Sequence, residues 1–171
     1  MGAGGVAMKS HDTLPASEAL ARELRIEVPF APIPYERRTR MGRFSDKAQR
    51  YHERQNAIRD FVRAWLVSNG NMSFPLFPKG TALALGVEVT LAPYETFVAG
   101  RNGTTHRRNV RPCGMMDLSN LEKAVEDALN GLLYHDDRQI VERLPGWKRE
   151  GETDKLVIIV RESWQNDVPR T

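Results

Sequence analysis

A single cysteine, Cys113, leaves no partner for an internal disulfide and no thiol spacing for a structural zinc site. A reducing setting is therefore expected. No apolar run approaches the roughly 20 residues needed to cross a bilayer, and the first residues carry no apolar core of the secretory kind. "MGAGGV" opens like a myristoylation site, but Val6 stands where that motif takes Ser or Thr. The expectation is a soluble, cytoplasmic protein. Glycine-rich phosphate loops, G-x-S-x-G and H-E-x-x-H are also missing, which removes the common nucleotide-binding, serine-hydrolase and zinc-protease readings. His106 and Cys113 flank nothing that resembles a zinc site. Hydrophobic residues, 40% of the 171, are somewhat few, so part of the chain is expected outside the core. This length suits one ordinary domain better than two.

The formal charge of +3 favours anionic partners only weakly. Its placement says more. Arg37, Arg38, Arg40 and Arg43 follow a run of prolines at 29, 32 and 34. Arg101, Arg107, Arg108 and Arg111 lie in a second segment rich in glycine and polar residues. Arginines grouped in such segments, rather than interspersed with acids on a helix, point to phosphate contact.

Along the chain, residues 1–22 read as a flexible arm and 23–171 as the folded domain. Alternation at Leu24, Ile26 and Val28 predicts a strand that the prolines end. "SDKAQRYHERQNAIRDFVRAWLVSN" predicts a helix capped by Ser45, with Tyr51, Ala57 or Ile58, Phe61, Trp65 and Leu66 facing a core. Asn69-Gly70 stops it. "GNMSFPLFPKG" reads as structureless, and "TALALGVEVTLAP" as a strand through Leu83, Leu85, Val87, Val89 and Leu91. Residues 93–116 read as a long basic loop, with room for a little more strand at its start. A second helix follows, with its apolar stripe at Leu118, Leu121, Val125, Ala128, Leu129 and Leu132 and its end at Asn130-Gly131. "RQIVERLPGWKRE" and "KLVIIVRES" read as two strands in a hairpin around Gly151.

The second helix carries the chemistry. Asp117 stands at its start, Lys123 and Asp127 lie four apart on one stripe, and Asp136-Asp137 follow it. Each has an ordinary reading: a capping acid, a surface pair, a turn. Together they match the needs of metal-assisted phosphodiester hydrolysis. Carboxylates hold magnesium, and a lysine offsets charge developing on the phosphate. The helix is roughly 20 Å long. Asp117 and Asp137 therefore meet only if the following strand runs back along it, or if the site is shared across a dimer.

"DLSNLEKAVEDALNGLLYHDDRQIV" resembles the signature of the RusA family of Holliday-junction resolvases, which are common in phages and prophages. That signature reads D-x-D-N-L-x-K, then D-A-L, then D-D-x-Q-[IV]. Asp117, Asn120, Leu121, Lys123, Asp127, Ala128, Leu129, Asp136, Asp137, Gln139 and Ile140 match it. The likeness extends loosely over residues 24–162 and leaves out the arm. It implies an α+β fold, a small mixed sheet packed with two main helices, and a homodimer. It also implies Mg2+, for which Mn2+ substitutes, and paired symmetric nicks in four-way junctions during recombination, repair or phage DNA processing in the cytoplasm of a bacterial or phage-infected cell. By position, Asp117, Asp136 and Asp137 would hold metal. Asp117, Asp137 and Lys123 would be catalytic, Asp127 would support them, and the eight arginines would bind DNA. The departure is Ser119, where the family has its second acid; Ser or Thr also occurs there in phage-type relatives. An uncharged residue at that position leaves a second reading open, a branched-DNA-binding protein of the same fold with weakened chemistry.

Overall fold

The structure is a computed structural model that describes residues 23–34, 46–99, 105–110 and 116–163. The arm, the arginines at 37, 38, 40 and 43, Ser45, Arg101 and Arg111 lie outside the described residues. In chain order the elements are β1 (Leu24–Val28), α1 (Asp46–Ser68), β2 (Leu83–Leu91), β3 (Tyr94–Ala99), β4 (Thr105–Val110), α2 (Leu118–Leu129), β5 (Ile140–Arg143), β6 (Trp147–Glu150) and β7 (Lys155–Glu162). The result is an α+β arrangement, a mixed sheet with two helices.

The alternation in β2 makes it the centre of the sheet. Leu83, Leu85, Val87, Val89 and Leu91 form one buried row in the same core as Ile26, Val28, Leu156, Ile158 and Val160 from the neighbouring strands. Burying one such side chain is worth about 1.5–3 kcal/mol. Ile58, Val62 and Leu66 from α1 and Leu121, Val125, Ala128 and Leu129 from α2 complete that core. The α1 stripe thus runs through Ile58 and not Ala57, which is exposed. β7 lies between β1 and β2 and is antiparallel to both.

The segment 93–116 is not simply a loop. β3 and β4 pair antiparallel from Tyr94↔Val110 to Ala99↔Thr105, as a two-stranded ribbon separate from the main sheet. Its two strands do not alternate apolar and polar residues, so the periodicity that marks a strand is missing. Arg107 stands in register with Phe97, and Arg108 with Thr96.

The expected hairpin around Gly151 is also corrected. β6 pairs parallel with β2, whereas β7 pairs antiparallel with β2 on its other side. The link between them crosses the end of β2, where Gly151 N donates to Leu91 O at 3.2 Å and Ala92 N donates to Asp154 Oδ1 at 2.8 Å. A Cβ on Gly151 would collide with the Thr90 methyl. Spanning one intervening strand takes about 10 Å, within reach of a four-residue link. Glycine between two apolar runs is the same local signal for a crossing as for a turn.

The single strand expected at 138–150 is two. Leu144 N still donates to Leu85 O at 2.9 Å, but Pro145 has no N–H to continue the ladder. From Arg143↔Leu85 to Trp147↔Glu88, four steps on one side oppose three on the other, so one extra residue is accommodated. The segment 71–82 has no helix or strand but is firmly tied. Leu76 N and Phe77 N donate to Leu132 O at 3.0 Å and Leu133 O at 2.8 Å, and Phe77 is buried.

Candidate active site

The helix α2 begins at Asp117, whose carbonyl accepts from Leu121 N at 3.2 Å. Its carboxylate makes no capping hydrogen bond. The ordinary reading of this acid, as a side-chain cap, therefore does not describe it. Ser119 is exposed in the first turn.

Past the end of α2, Gly131 takes a φ of +75°, which suits glycine, and the chain turns back. Tyr134 is fully buried there and donates its hydroxyl to Glu126 O at 2.9 Å. Burial first, then the charge of Glu126, pushes that hydroxyl well above its ordinary pKa. It stays a donor. The returning chain forms a short 3-10 turn, Asp137–Gln139, capped by Asp136, which accepts from Arg138 N at 3.0 Å.

This turn brings Asp137 against the middle of α2. Lys123 Nζ lies 3.0 Å from Asp137 Oδ2 and 3.1 Å from Asp127 Oδ1. Residues 123 and 137 thus meet within one chain. The hydrogen bond from Lys123 holds the Asp137 carboxyl below the usual carboxylate range, against a smaller effect of burial. For Lys123, burial works downward, but the bonds to Asp137 and Asp127 outweigh it and its pKa is raised. Asp137's contribution is lost only as pH falls through its lowered value, and that of Lys123 only as pH rises through its raised one. The pair is intact at neutral pH. The two side chains are 39% and 45% exposed, and exposed pairs are worth about 0–1 kcal/mol. Stability is a poor explanation for an ammonium held by two carboxylates.

Asp117 is six residues before Lys123, about 9 Å along the axis. Among the described residues no group of three His, Cys, Asp or Glu is gathered as a metal site would gather them. The donor chemistry still suits a hard cation: Asp117, Asp136 and Asp137 offer only oxygen. Lys123 shows that a positive charge is held at this place.

Several supporting residues were not legible as such. Tyr51, assigned to the core, is buried, and its hydroxyl lies 3.3 Å from Asp127 Oδ2 while accepting from Gln55 Nε2 at 2.9 Å. A buried tyrosine needs a partner for its hydroxyl, which was the available signal. Lys148 on β6 donates to the carbonyl of Met116, beside Asp117. Arg143 on β5 pairs with the buried Glu126. Gln139 is buried and clamps two segments together: its amide N–H groups reach Pro78 O at 2.9 Å and Thr81 O at 3.1 Å, and its oxygen accepts from His135 N at 2.8 Å. Gln139→Leu leaves those groups unpaired and is expected to destabilise the fold by about 2–3 kcal/mol, as measured by urea unfolding.

No curated protein matches the chain. A family profile described as Endodeoxyribonuclease RusA matches residues 29–161, well over half of the 171. The match takes in both helices, the acid turn and the strands from β2 onward but for the last residue of β7. Having the motif, the family-wide match and an α+β arrangement in common with that family, this chain belongs to the RusA endodeoxyribonuclease family.

Proposed function

We propose that this protein is a magnesium-dependent endodeoxyribonuclease that resolves four-way DNA junctions by paired symmetric nicks, as a homodimer with one nuclease domain and one site per chain. The observation that carries the reading is Lys123, held between Asp127 and Asp137 inside the matched segment.

In this reading Asp117, Asp136 and Asp137 hold the cation through their oxygens. When bound, magnesium supplies a Lewis acid for the phosphodiester and a water of lowered pKa. Asp137 enters the reaction ionised, because Lys123 holds its pKa down. Lys123 stays protonated and donates to the phosphate oxygens as charge develops there, with Asp127, itself held by Tyr51, fixing its direction. Lys148, on the Met116 carbonyl, steadies the backbone at Asp117. Arg37, Arg38, Arg40, Arg43, Arg101, Arg107, Arg108 and Arg111 contact phosphates.

Symmetric incisions need two sites related like the strands they cut, and the sequence carries one such motif. A supercoiled plasmid that extrudes a cruciform tests this directly. Paired nicks within one binding event convert it to linear DNA, which is the expected product. Accumulation of nicked circles, with a monomer in light scattering, would contradict the dimeric mechanism.

A further inference from the structure

Beside the acid turn, a cleft of about 340 Å³ opens between residues 79–82 and 135–141. Its lining includes Lys79, His135, Asp136, Arg138, Gln139 and Val141. Two cationic residues therefore share the lining with one carboxylate. Asp136 belongs to the acid pair, so whatever occupies the cleft lies next to the candidate active site.

The two walls are fixed to each other. Gln139 bonds across from the acid turn to both Pro78 and Thr81. Leu76 and Phe77 pair with Leu132 and Leu133 just behind them. Gly80, with a φ of +89°, turns the chain directly after Lys79. Lys79 is thus carried on a braced loop, although the segment has no regular structure.

Its surroundings give Lys79 no acid of its own. Arg25 pairs with Glu88, Lys155 with Glu27 and Arg161 with Glu142, but among the described residues Lys79 makes no ion pair. Arg138 pairs with its neighbour Asp136, at 3.6 Å, and acts on the charge of Asp137, but its side chain is 90% exposed. Cations that project from a rim suit a ligand lying across the cleft. A small molecule enclosed within it would instead meet buried polar groups.

We infer that this cleft is a phosphate-binding subsite for the DNA strand, in which Lys79 and Arg138 contact a phosphodiester other than the one that is cut. The inference rests on the reading above for the identity of the polyanion. Its role is to hold the strand in register beside Asp136 and Asp137. Phosphate contacts of this kind position a nucleic acid without reading its sequence.

The test is binding, measured by fluorescence anisotropy without divalent metal, of a synthetic four-way junction, a linear duplex and a single strand. Salt is varied over roughly 50–200 mM. Each phosphate contact contributes about 0.9 to the slope of log affinity against log salt on duplex DNA and about 0.7 on a single strand. The double variant K79A/R138A is expected to lose about 1.8 of that slope on the junction, and each single variant about half as much. K79R/R138K keeps the charges and is expected to keep the slope, which separates charge from folding. Junction cutting by the wild type with magnesium is followed in parallel. A wild type that cuts, with a double variant of unchanged slope on all three DNAs, overturns the subsite and leaves the nuclease reading standing. A wild type that binds DNA without cutting, with the slope reduced as expected, overturns the nuclease reading and leaves the subsite. Failure of the wild type to bind any of the three DNAs overturns both.

Discussion

Asp117→Asn and Asp137→Asn should each abolish junction nicking while leaving junction binding near the wild-type level. Each removes an anionic oxygen donor, and the neutral amide that replaces it does not restore the lost charge. Loss of a residue that only supports a metal site typically costs 10- to 100-fold, and loss of a ligand itself is expected to cost more. Binding should survive, because it depends on cationic side chains and not on acids; removing a negative charge near a phosphate if anything strengthens it. The two positions also differ in a way that separates their roles. Asp137→Asn releases Lys123 from one of its two carboxylates, so this variant loses orientation of the ammonium as well as a donor. Asp117 makes no capping hydrogen bond, so its replacement should cost only the helix-dipole contribution of its charge, about 0.3–1 kcal/mol. Single-turnover nicking with magnesium measures the rate. A variant within a few-fold of wild type would remove that acid from the mechanism.

How the site could be anticipated varied with its distance along the chain. The acids and Lys123 were legible because they lie within 21 consecutive residues, Asp117 to Asp137, on one helix and the turn after it. The meeting of Lys123 with Asp137 was not, since it depends on the chain reversing at Gly131 and on Tyr134 burying itself beneath α2. Contacts from further away were hidden altogether. Nothing local marks Tyr51 as a partner of Asp127, or places Pro78 and Thr81 under the amide of Gln139. The fold divides in the same way. β1, α1, β2, α2 and β7 announced themselves through apolar periodicity, because each buries one face in the core. The β3–β4 ribbon has no such periodicity in its sequence. The crossing at Gly151 differs from a hairpin only in what lies between its strands, and sequence spacing does not contain that information.

Ser119 is the second place where a large effect is expected. The family pattern has an acid here, and a hydroxyl brings no negative charge to the metal's surroundings. The wild type should therefore need more magnesium than Ser119→Asp, and manganese, which binds such sites somewhat more tightly, should partly rescue it. Ser119→Ala discriminates further. If the hydroxyl holds a metal-bound water, alanine should lower the rate by about 10-fold or more. If position 119 is only an exposed residue in the first turn, its loss should leave the rate alone. An aspartate near a helix N-terminus also gains about 0.3–1 kcal/mol from the helix dipole. A rise in melting temperature is thus expected in either case, and only the metal requirement separates them. Equal requirements in all three proteins would show that position 119 has no part in the site.

The most direct measurement is the cutting of a synthetic four-way junction beside a linear duplex of the same sequence, with and without magnesium. The account predicts symmetric nicks in the junction, none in the duplex, and no cutting of either once the metal is chelated. A junction bound tightly yet left intact at every magnesium and manganese concentration would contradict it, and would leave a branched-DNA-binding protein in its place.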